Sequence, residues 1–265
     1  MAIGRFARVA LTVASALILL FIYFPIALIF IYSFNSGTTA AWPPAGFTLH
    51  WWEQAIANTG LQQAFLTSIA VALVATLVAL ALGTLAALGV SRYAFFGRES
   101  ISFIVIFPIA LPGIVTGMAL STTFAQAGFP LGFLAIVIGH ATFCIVIVYN
   151  NAVARMRRLA GSFEEASADL GADSFTTFRR VTFPALRSAM LAGGLLAFAL
   201  SFDEVIVTIF TAGGVKTLPI WIFQSFRLNN QVPLVNVAGV VAILLSVIPV
   251  YLATRLSSGV AGART

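Results

Sequence analysis

The sequence has few charged residues. Lys, Arg, Asp and Glu together make up 8% of it, whereas hydrophobic residues make up 60%, and the mean hydropathy is +1.04. A soluble domain carries about 25% charged residues. This composition excludes a soluble globular domain and predicts a membrane protein that crosses the bilayer several times.

Residues and motifs that carry chemistry are also scarce. The single cysteine, Cys144, excludes a disulfide framework and is expected to be an apolar packing residue. The two histidines have no second His or carboxylate at a spacing that suits a metal, and we expect His140 to be a buried hydrogen-bonding residue. The sequence also has no GxxxxGK(S/T) phosphate loop and no Ser/His/Asp or Cys/His set. We therefore predict no catalytic residue, no metal site and no cofactor in this chain, which alone cannot hydrolyse ATP.

Long apolar stretches dominate the rest of the chain. Six of them contain the roughly 20 residues that a membrane-spanning helix needs, at about 9–34, 64–90, 101–124, 131–153, 188–210 and 234–256. We therefore predict an all-α polytopic fold in a single transmembrane domain, 1–265. Pro108 and Pro112 predict kinks in the third stretch, because each frees backbone groups that neighbours or water must satisfy.

Basic residues lie almost entirely on one side of these spans. Of the Lys and Arg residues, only Lys216 and Arg227 fall on the other side. The positive-inside rule therefore places both termini and the loop 160–187 in the cytoplasm. The net charge of +6 reflects this topology rather than nucleic-acid binding.

The loop 160–187 concentrates charge in an otherwise apolar sequence. Ser162 and Glu165 have the spacing of a capping box, which predicts a short helix over about 163–170. Gly171 can supply the left-handed residue that ends this helix.

A second helix is predicted to follow in the same loop. Asp173 or Ser174 can cap it, and Pro184 prevents it from continuing with intact hydrogen bonds. The simplest interpretation of these signals is a capped turn between two spans.

Residues of this loop also keep a fixed spacing: Glu165, Ala166 and Ser167, then three residues, Gly171, nine residues, Val181, one residue, Phe183 and Pro184. This pattern resembles the EAA loop (EAA-x3-G-x9-I-x-LP) of the membrane subunits of ATP-binding-cassette (ABC) importers. Ser167, Val181 and Phe183 depart from the commonest letters by small or apolar changes. The resemblance implies the type I importer permease fold, with six transmembrane helices and a cytoplasmic coupling helix that docks on a separate ATPase subunit. It assigns this coupling to Ser162, Glu164, Glu165, Ala166, Ser167, Gly171 and Pro184.

Tryptophan is confined to the side of the membrane opposite this loop. All four residues, Trp42, Trp51, Trp52 and Trp221, fall there. An interfacial aromatic belt explains this distribution. The alternative is a docking surface for an external binding protein, since large aromatic side chains are enriched at interfaces.

The fifth stretch contains two adjacent carboxylates, Asp203 and Glu204. A carboxylate within a bilayer is costly and normally faces a cavity or a partner. Asp203 lies about 28 Å along a helix that starts near Pro184, which places it towards the external end. Adjacent helical residues point about 100° apart, so we expect Asp203 to face a substrate pathway rather than Glu204. The alternative is an interfacial carboxylate paired with Lys216 or Arg227.

The stretches PIALIFIYSFNSG, SFDEVIVTIFTAGG, LPIWIFQSFR and PLVNVAGV resemble the spermidine/putrescine branch of these importers, in particular its second permease subunit. The resemblance implies a bacterial inner-membrane permease, paired with a second permease subunit, two ATPase subunits that bind ATP and Mg²⁺, and an external binding protein. The implied solute is a polyamine. This multiply charged cation needs a compensating anion when it leaves water, and a carboxylate can provide it. Alternatives are another solute (an opine, an amino-acid derivative, choline or thiamine), an ATP-independent secondary carrier, or a scaffold that transports nothing.

Overall fold

The computed structural model of the protein describes residues 4–159, 161–227 and 231–258. Ala160, which begins the predicted loop, lies outside the described residues. The described chain is helical apart from its connections and one isolated β-bridge, between Asn35 and Phe47. The prediction of an all-α fold is therefore confirmed.

The α-helices are numbered in chain order, with a π-helical turn, Phe178–Thr182, between α8 and α9. They are α1 (Arg5–Tyr32), α2 (His50–Ala57), α3 (Thr59–Arg92), α4 (Arg98–Ala110), α5 (Gly113–Gln126), α6 (Phe133–Met156), α7 (Ser162–Asp169), α8 (Ser174–Thr177), α9 (Phe183–Phe202), α10 (Ile206–Thr211), α11 (Leu218–Phe226) and α12 (Val232–Ser258).

Five helical segments of the described chain are long and apolar enough to cross a membrane. They are Arg5–Tyr32, Thr59–Arg92, Phe133–Met156, Ser174–Phe202 and Val232–Leu256. Four of them match predicted spans within a few residues. The predicted fifth span, 188–210, is wrong at both ends: the helix begins earlier, at Ser174, and ends at Phe202.

The predicted third span, 101–124, is two helices rather than one. The axes of α4 and α5 differ by 105°, so the described chain has five helical segments long and apolar enough to cross a membrane, or six if this pair is one span. The break lies at Leu111, which has an extended backbone with φ −82° and ψ 141°. Pro112 follows, and a proline forces the residue before it out of the helical region. The kink predicted from this proline is therefore a full break.

Pro184 has a different effect on its helix. Proline has no N–H to donate, so the regular α-helical ladder cannot run through it. Just before Pro184 the chain widens into the π-helical turn, in which the Phe183 N–H donates to the Phe178 carbonyl, five residues back. The helix therefore continues from α8 into α9, and the hydrogen bond that Pro184 cannot make is accommodated by the π-helical turn.

The chain divides into two compact units, whose bounds include the few residues outside the described ranges. The first comprises Met1–Gln62 and Trp221–Ile243, and the second comprises Gln63–Ile220 and Leu244–Thr265. In the first unit the large apolar side chains of α1 from Phe6 to Phe24 are exposed, as expected for a helix whose surroundings are lipid or another subunit. The prediction of a single transmembrane domain over 1–265 stays a prediction.

The core of the second unit forms around α6, which packs against α9. Cys144 lies in this core, fully buried beside Ala79, Val148 and Ala197. Its Sγ donates to the Ala197 carbonyl at 3.4 Å, as expected for a packing residue. Helix α3 approaches α6 closely at Gly83, where a Cβ would lie 2.9 Å from the Ile145 carbonyl oxygen.

This close approach predicts that Gly83→Ala destabilises the protein by about 1–3 kcal/mol, the usual cost of overpacking. The added Cβ would also lie 3.0 Å from Val148 Cβ, so α3 and α6 would have to separate. Gly89→Ala on the same helix is the matched control, because its added Cβ meets nothing within 4 Å. Thermal unfolding of both variants in detergent measures the difference, and equal midpoints would contradict the packing.

Candidate coupling loop and substrate-pathway site

Helix α7 is the short helix that the loop sequence predicts, displaced by one residue. It begins at Ser162, and its N-cap is Gly161, which has a helical backbone and makes no side-chain cap hydrogen bond. The predicted capping box between Ser162 and Glu165 is therefore wrong. Ser162 is already the first helical residue, so its hydroxyl is not in the cap position.

The end of α7 at Gly171 is confirmed. Gly171 has φ +83°, in the left-handed region. Its N–H donates to the Ala168 carbonyl at 2.8 Å, and the Ala172 N–H donates to the Ser167 carbonyl at 3.1 Å. These two bonds form a Schellman motif, which satisfies carbonyls that a helix end leaves free.

The next helix is capped by Asp173, one of the two predicted caps. Its carboxylate accepts a hydrogen bond from the Thr176 N–H at 2.9 Å. Hydrogen bonds from the side chain and the backbone of Thr176 hold the pKa of this exposed carboxyl below its usual value. Residues 171–173 thus end one helix and start the next.

Glu164 ties α7 to two other elements of the second unit. Its Oε1 accepts a hydrogen bond from Thr182 Oγ1 at 2.8 Å, on the π-helical turn. Its Oε2 lies 2.8 Å from Nε of Arg92, the last residue of α3. A third contact joins the hydroxyls of Ser167 and Thr177 at 3.0 Å. The sequence does not predict the pairing of Arg92 with Glu164, because no local pattern points to a partner so distant in the chain.

The face of α7 that lies away from Glu164 is exposed. Glu165 and Ala166 are exposed, as are Phe163 and Leu170, at 64% and 89%. Phe163, Ala166 and Leu170 are spaced by three and four residues, so they share one side of the helix. The two adjacent glutamates therefore differ, since Glu164 faces the protein and Glu165 faces away.

The two carboxylates of the predicted substrate pathway lie in a break between helices. Helix α9 ends at Phe202, Asp203 is its C-cap, and α10 begins at Ile206. The prediction that both carboxylates belong to one continuous helix is wrong, so the 100° separation used to choose between them does not apply.

The structure nevertheless distinguishes the two carboxylates. Glu204 Oε1 accepts a hydrogen bond from the Val207 N–H at 3.0 Å, in the first turn of α10. Asp203 is exposed. Within the described ranges Asp203 forms no ion pair with Lys216, so that half of the alternative is wrong. Arg227, the other partner considered, belongs to the first unit, and its pairing stays untested.

His140 is a buried hydrogen-bonding residue, as predicted. It is 1% exposed. Its Nδ1 lies 2.8 Å from Ser201 Oγ, and its Nε2 lies 2.8 Å from Thr208 Oγ1. These partners lie on either side of the break between α9 and α10.

The four tryptophans differ in exposure. Trp51 is buried and its Nε1 donates to the Asn35 carbonyl at 3.0 Å. Trp52 stacks on Phe34, and Trp221 is 9% exposed. Trp42, at 69%, is the one whose side chain is mostly exposed.

Several apolar helices and a helix–turn–helix loop with an exposed face fit the importer permease that the sequence resembles. The sequence matches the family described as binding-protein-dependent transport system inner membrane component over residues 79–262. The chain belongs to this family, and it is therefore a permease subunit of an importer rather than an enzyme.

Similar proteins include two permeases of Escherichia coli strain K12. The putrescine transport system permease protein PotI is 34% identical over 218 residues, which cover 79% of this chain and 77% of PotI. The spermidine/putrescine transport system permease protein PotC is 32% identical over 250 residues, which cover 94% of this chain and 92% of PotC.

Solved structures with a similar fold include a bacterial ABC transporter involved in the import of the acidic polysaccharide alginate. Its chain is 19% identical, with a TM-score of 0.70, and the alignment covers 98% of this chain and 99% of that one. A bacterial alginate ABC transporter in complex with a periplasmic protein bound to an alginate pentasaccharide gives a TM-score of 0.73 at 12% identity, covering 96% and 94%. At these identities the likeness shows the fold alone.

The left-handed backbone of Gly171 predicts that Gly171→Ala destabilises the end of α7 by roughly 1–2 kcal/mol. The cause is the backbone conformation alone, because the added Cβ would meet nothing within 4 Å. Gly161→Ala is the matched control at the other end of α7, where φ is −57°. Hydrogen exchange of the α7 amides should accelerate in the first variant only. Unchanged exchange in both variants would contradict the role of Gly171.

Proposed function

We propose that this permease moves a polyamine, putrescine or spermidine, across the bacterial inner membrane by alternating access. The observation that carries the proposal is the similarity to PotI and PotC over most of the chain, combined with an exposed carboxylate without an ion-pair partner among the described residues. The chain works with a second, similar permease subunit, two ATPase subunits and an external binding protein. ATP and Mg²⁺ are bound by the ATPase subunits.

The exposed side of α7 is the surface that meets the ATPase. Phe163, Ala166 and Leu170 offer apolar area there, and Glu165 offers a charge. The other side of α7 is joined through Glu164 to the end of α3 and to the turn before α9. A displacement of α7 by the ATPase is therefore transmitted to two long helices at once. The distribution of arginine supports a cytoplasmic position for this loop and for both termini.

Asp203 is the residue that meets the cation. A polyamine leaving water needs an anion to offset its desolvation, and Asp203 has no such partner among the described residues. Glu204 is the less favoured of the pair, since its carboxylate is engaged by the Val207 N–H in the first turn of α10.

Docking of the external binding protein involves the tryptophan-containing segments. Trp42 offers an exposed aromatic surface for direct contact. Trp51, Trp52 and Trp221 contribute by holding the surrounding backbone in place, because Trp51 and Trp221 are buried and Trp52 is stacked on Phe34.

The opposite orientations of the two glutamates on α7 predict different defects. Glu164→Gln should accelerate hydrogen exchange of the α7 amides, because it removes the charge paired with Arg92, a partly exposed interaction worth about 0.2–1 kcal/mol. Glu165→Gln should leave that exchange unchanged and weaken co-purification of the ATPase subunit. Equal membrane levels of the two variants are the control, and identical behaviour would contradict the assignment.

Uptake of labelled putrescine and spermidine by cells that express the complete transporter tests the proposed solute. Uptake should be saturable, dependent on ATP, and insensitive to excess opines, amino acids, choline or thiamine. Inhibition by one of these competitors, or no polyamine uptake at all, would remove the polyamine assignment.

Asp203→Asn should then lower polyamine transport about tenfold or more, the scale of a lost charge-assisted contact. The matched control is Glu99→Gln, which removes an exposed carboxylate from the first turn of α4 and should have little effect. Both variants are compared at equal amounts of protein in the membrane. Equal transport by the two would exclude Asp203 from the pathway.

A further inference from the structure

Three buried polar side chains span the break between α9 and α10. His140 comes from α6, Ser201 from the last turn of α9, and Thr208 from α10. All three are at most 2% exposed. The imidazole ring therefore bridges the two helices on either side of residues 203–205 and holds them to α6.

The positions of the hydrogens in this bridge follow from the number of available donors. The Thr208 hydroxyl donates to the Glu204 carbonyl at 2.8 Å, so its oxygen must accept from His140 Nε2–H, 2.8 Å away. A buried ring with two hydroxyl partners is favoured in the neutral form. Nδ1 is then the acceptor, and the Ser201 hydroxyl donates to it at 2.8 Å. The result is one directed chain of hydrogen bonds from α9 to the backbone of Glu204.

This chain of hydrogen bonds has different consequences for the two carboxylates. Glu204 is fixed twice, by its carbonyl through Thr208 and by its carboxylate through the Val207 N–H. Asp203 makes neither contact and is exposed at the break. Asp203 still follows α9, because its N–H donates to the Ala199 carbonyl at 3.3 Å. If the break closed into a continuous helix, the residues after Asp203 would move relative to it, and the opening in which its side chain is exposed would be lost.

We propose that His140 is a positioning residue for transport: it keeps the helix break open and thereby holds Asp203 where a polyamine meets it. The role of His140 rests on the proposed function, because it assumes that a cation passes Asp203. His140 itself does not contact the solute.

Variants of His140 and Thr208 test the hydrogen bonds of His140 to Ser201 and to Thr208 one at a time. His140→Gln can keep a donor to Thr208, whereas His140→Asn can reach only Ser201. Thr208→Val removes the hydroxyl with little change in shape. Thr76→Val is the matched control, because Thr76 is buried on α3 and its hydroxyl has no hydrogen-bond partner in the described part of the chain.

The experiment uses the complete transporter in liposomes, with saturating binding protein and ATP. Two quantities are measured: the polyamine delivered per ATP hydrolysed, and the hydrogen exchange of the α10 amides. His140→Asn and Thr208→Val should each lower the polyamine delivered per ATP about fivefold to tenfold. Each should also accelerate hydrogen exchange of the α10 amides about tenfold, the scale of losing one buried hydrogen bond. His140→Gln should keep most of the transport per ATP and most of the protection of the α10 amides. Thr76→Val should match the unmodified protein in both measurements.

The ratio of transport to ATP hydrolysis separates positioning from folding. A purely structural loss would lower transport and ATP hydrolysis together and leave their ratio unchanged, which would overturn the proposal. Unchanged α10 exchange in His140→Asn and Thr208→Val would overturn it as well. If the unmodified transporter delivers no polyamine, the proposed function fails instead, and the exchange measurement by itself decides whether His140 holds the break.

Discussion

A backbone N–H or C=O group inside a bilayer has no water to bind, so each must find a partner within the protein. This constraint explains why the described chain is almost wholly helical and why its helix breaks have local solutions. Before Pro184 the helix widens by one residue and continues. Between α9 and α10, side chains supply the missing partners, through Glu204 and Thr208. Polar side chains of this apolar sequence therefore serve the backbone at the break between α9 and α10.

Two adjacent glutamates show how one short helix serves two purposes. Glu164 is joined to Arg92 and Thr182, which secures α7 to its own protein. Glu165 is exposed on the other side together with apolar residues. A helix of eight residues cannot be stable alone, because helix nucleation is costly and isolated helices this short are marginal in water. The internal contacts of Glu164, and the turn at Gly171, allow the outer side to be presented in a fixed orientation.

The sequence predicts four of the long helices and the turn of the loop, because apolar length and turn chemistry are local properties. Gly171 and Asp173 act as predicted, since the left-handed residue and the cap depend on a few neighbouring residues. The prediction that Ser162 caps α7 is wrong because the helix begins one residue earlier than predicted, which makes Ser162 its first helical residue. The break after Phe202 and the pairing of Arg92 with Glu164 depend on contacts between distant segments, to which no local pattern points.

The complete burial of Cys144 has a practical consequence. The chain has one thiol, and that thiol is enclosed in the core beside α9 and hydrogen-bonded to a backbone carbonyl. A water-soluble maleimide has no route to it while the protein is folded. The native chain therefore should not react with such a reagent. A cysteine introduced at an exposed position such as Trp42, Leu170 or Asp203 would be the one thiol of the chain that the reagent labels.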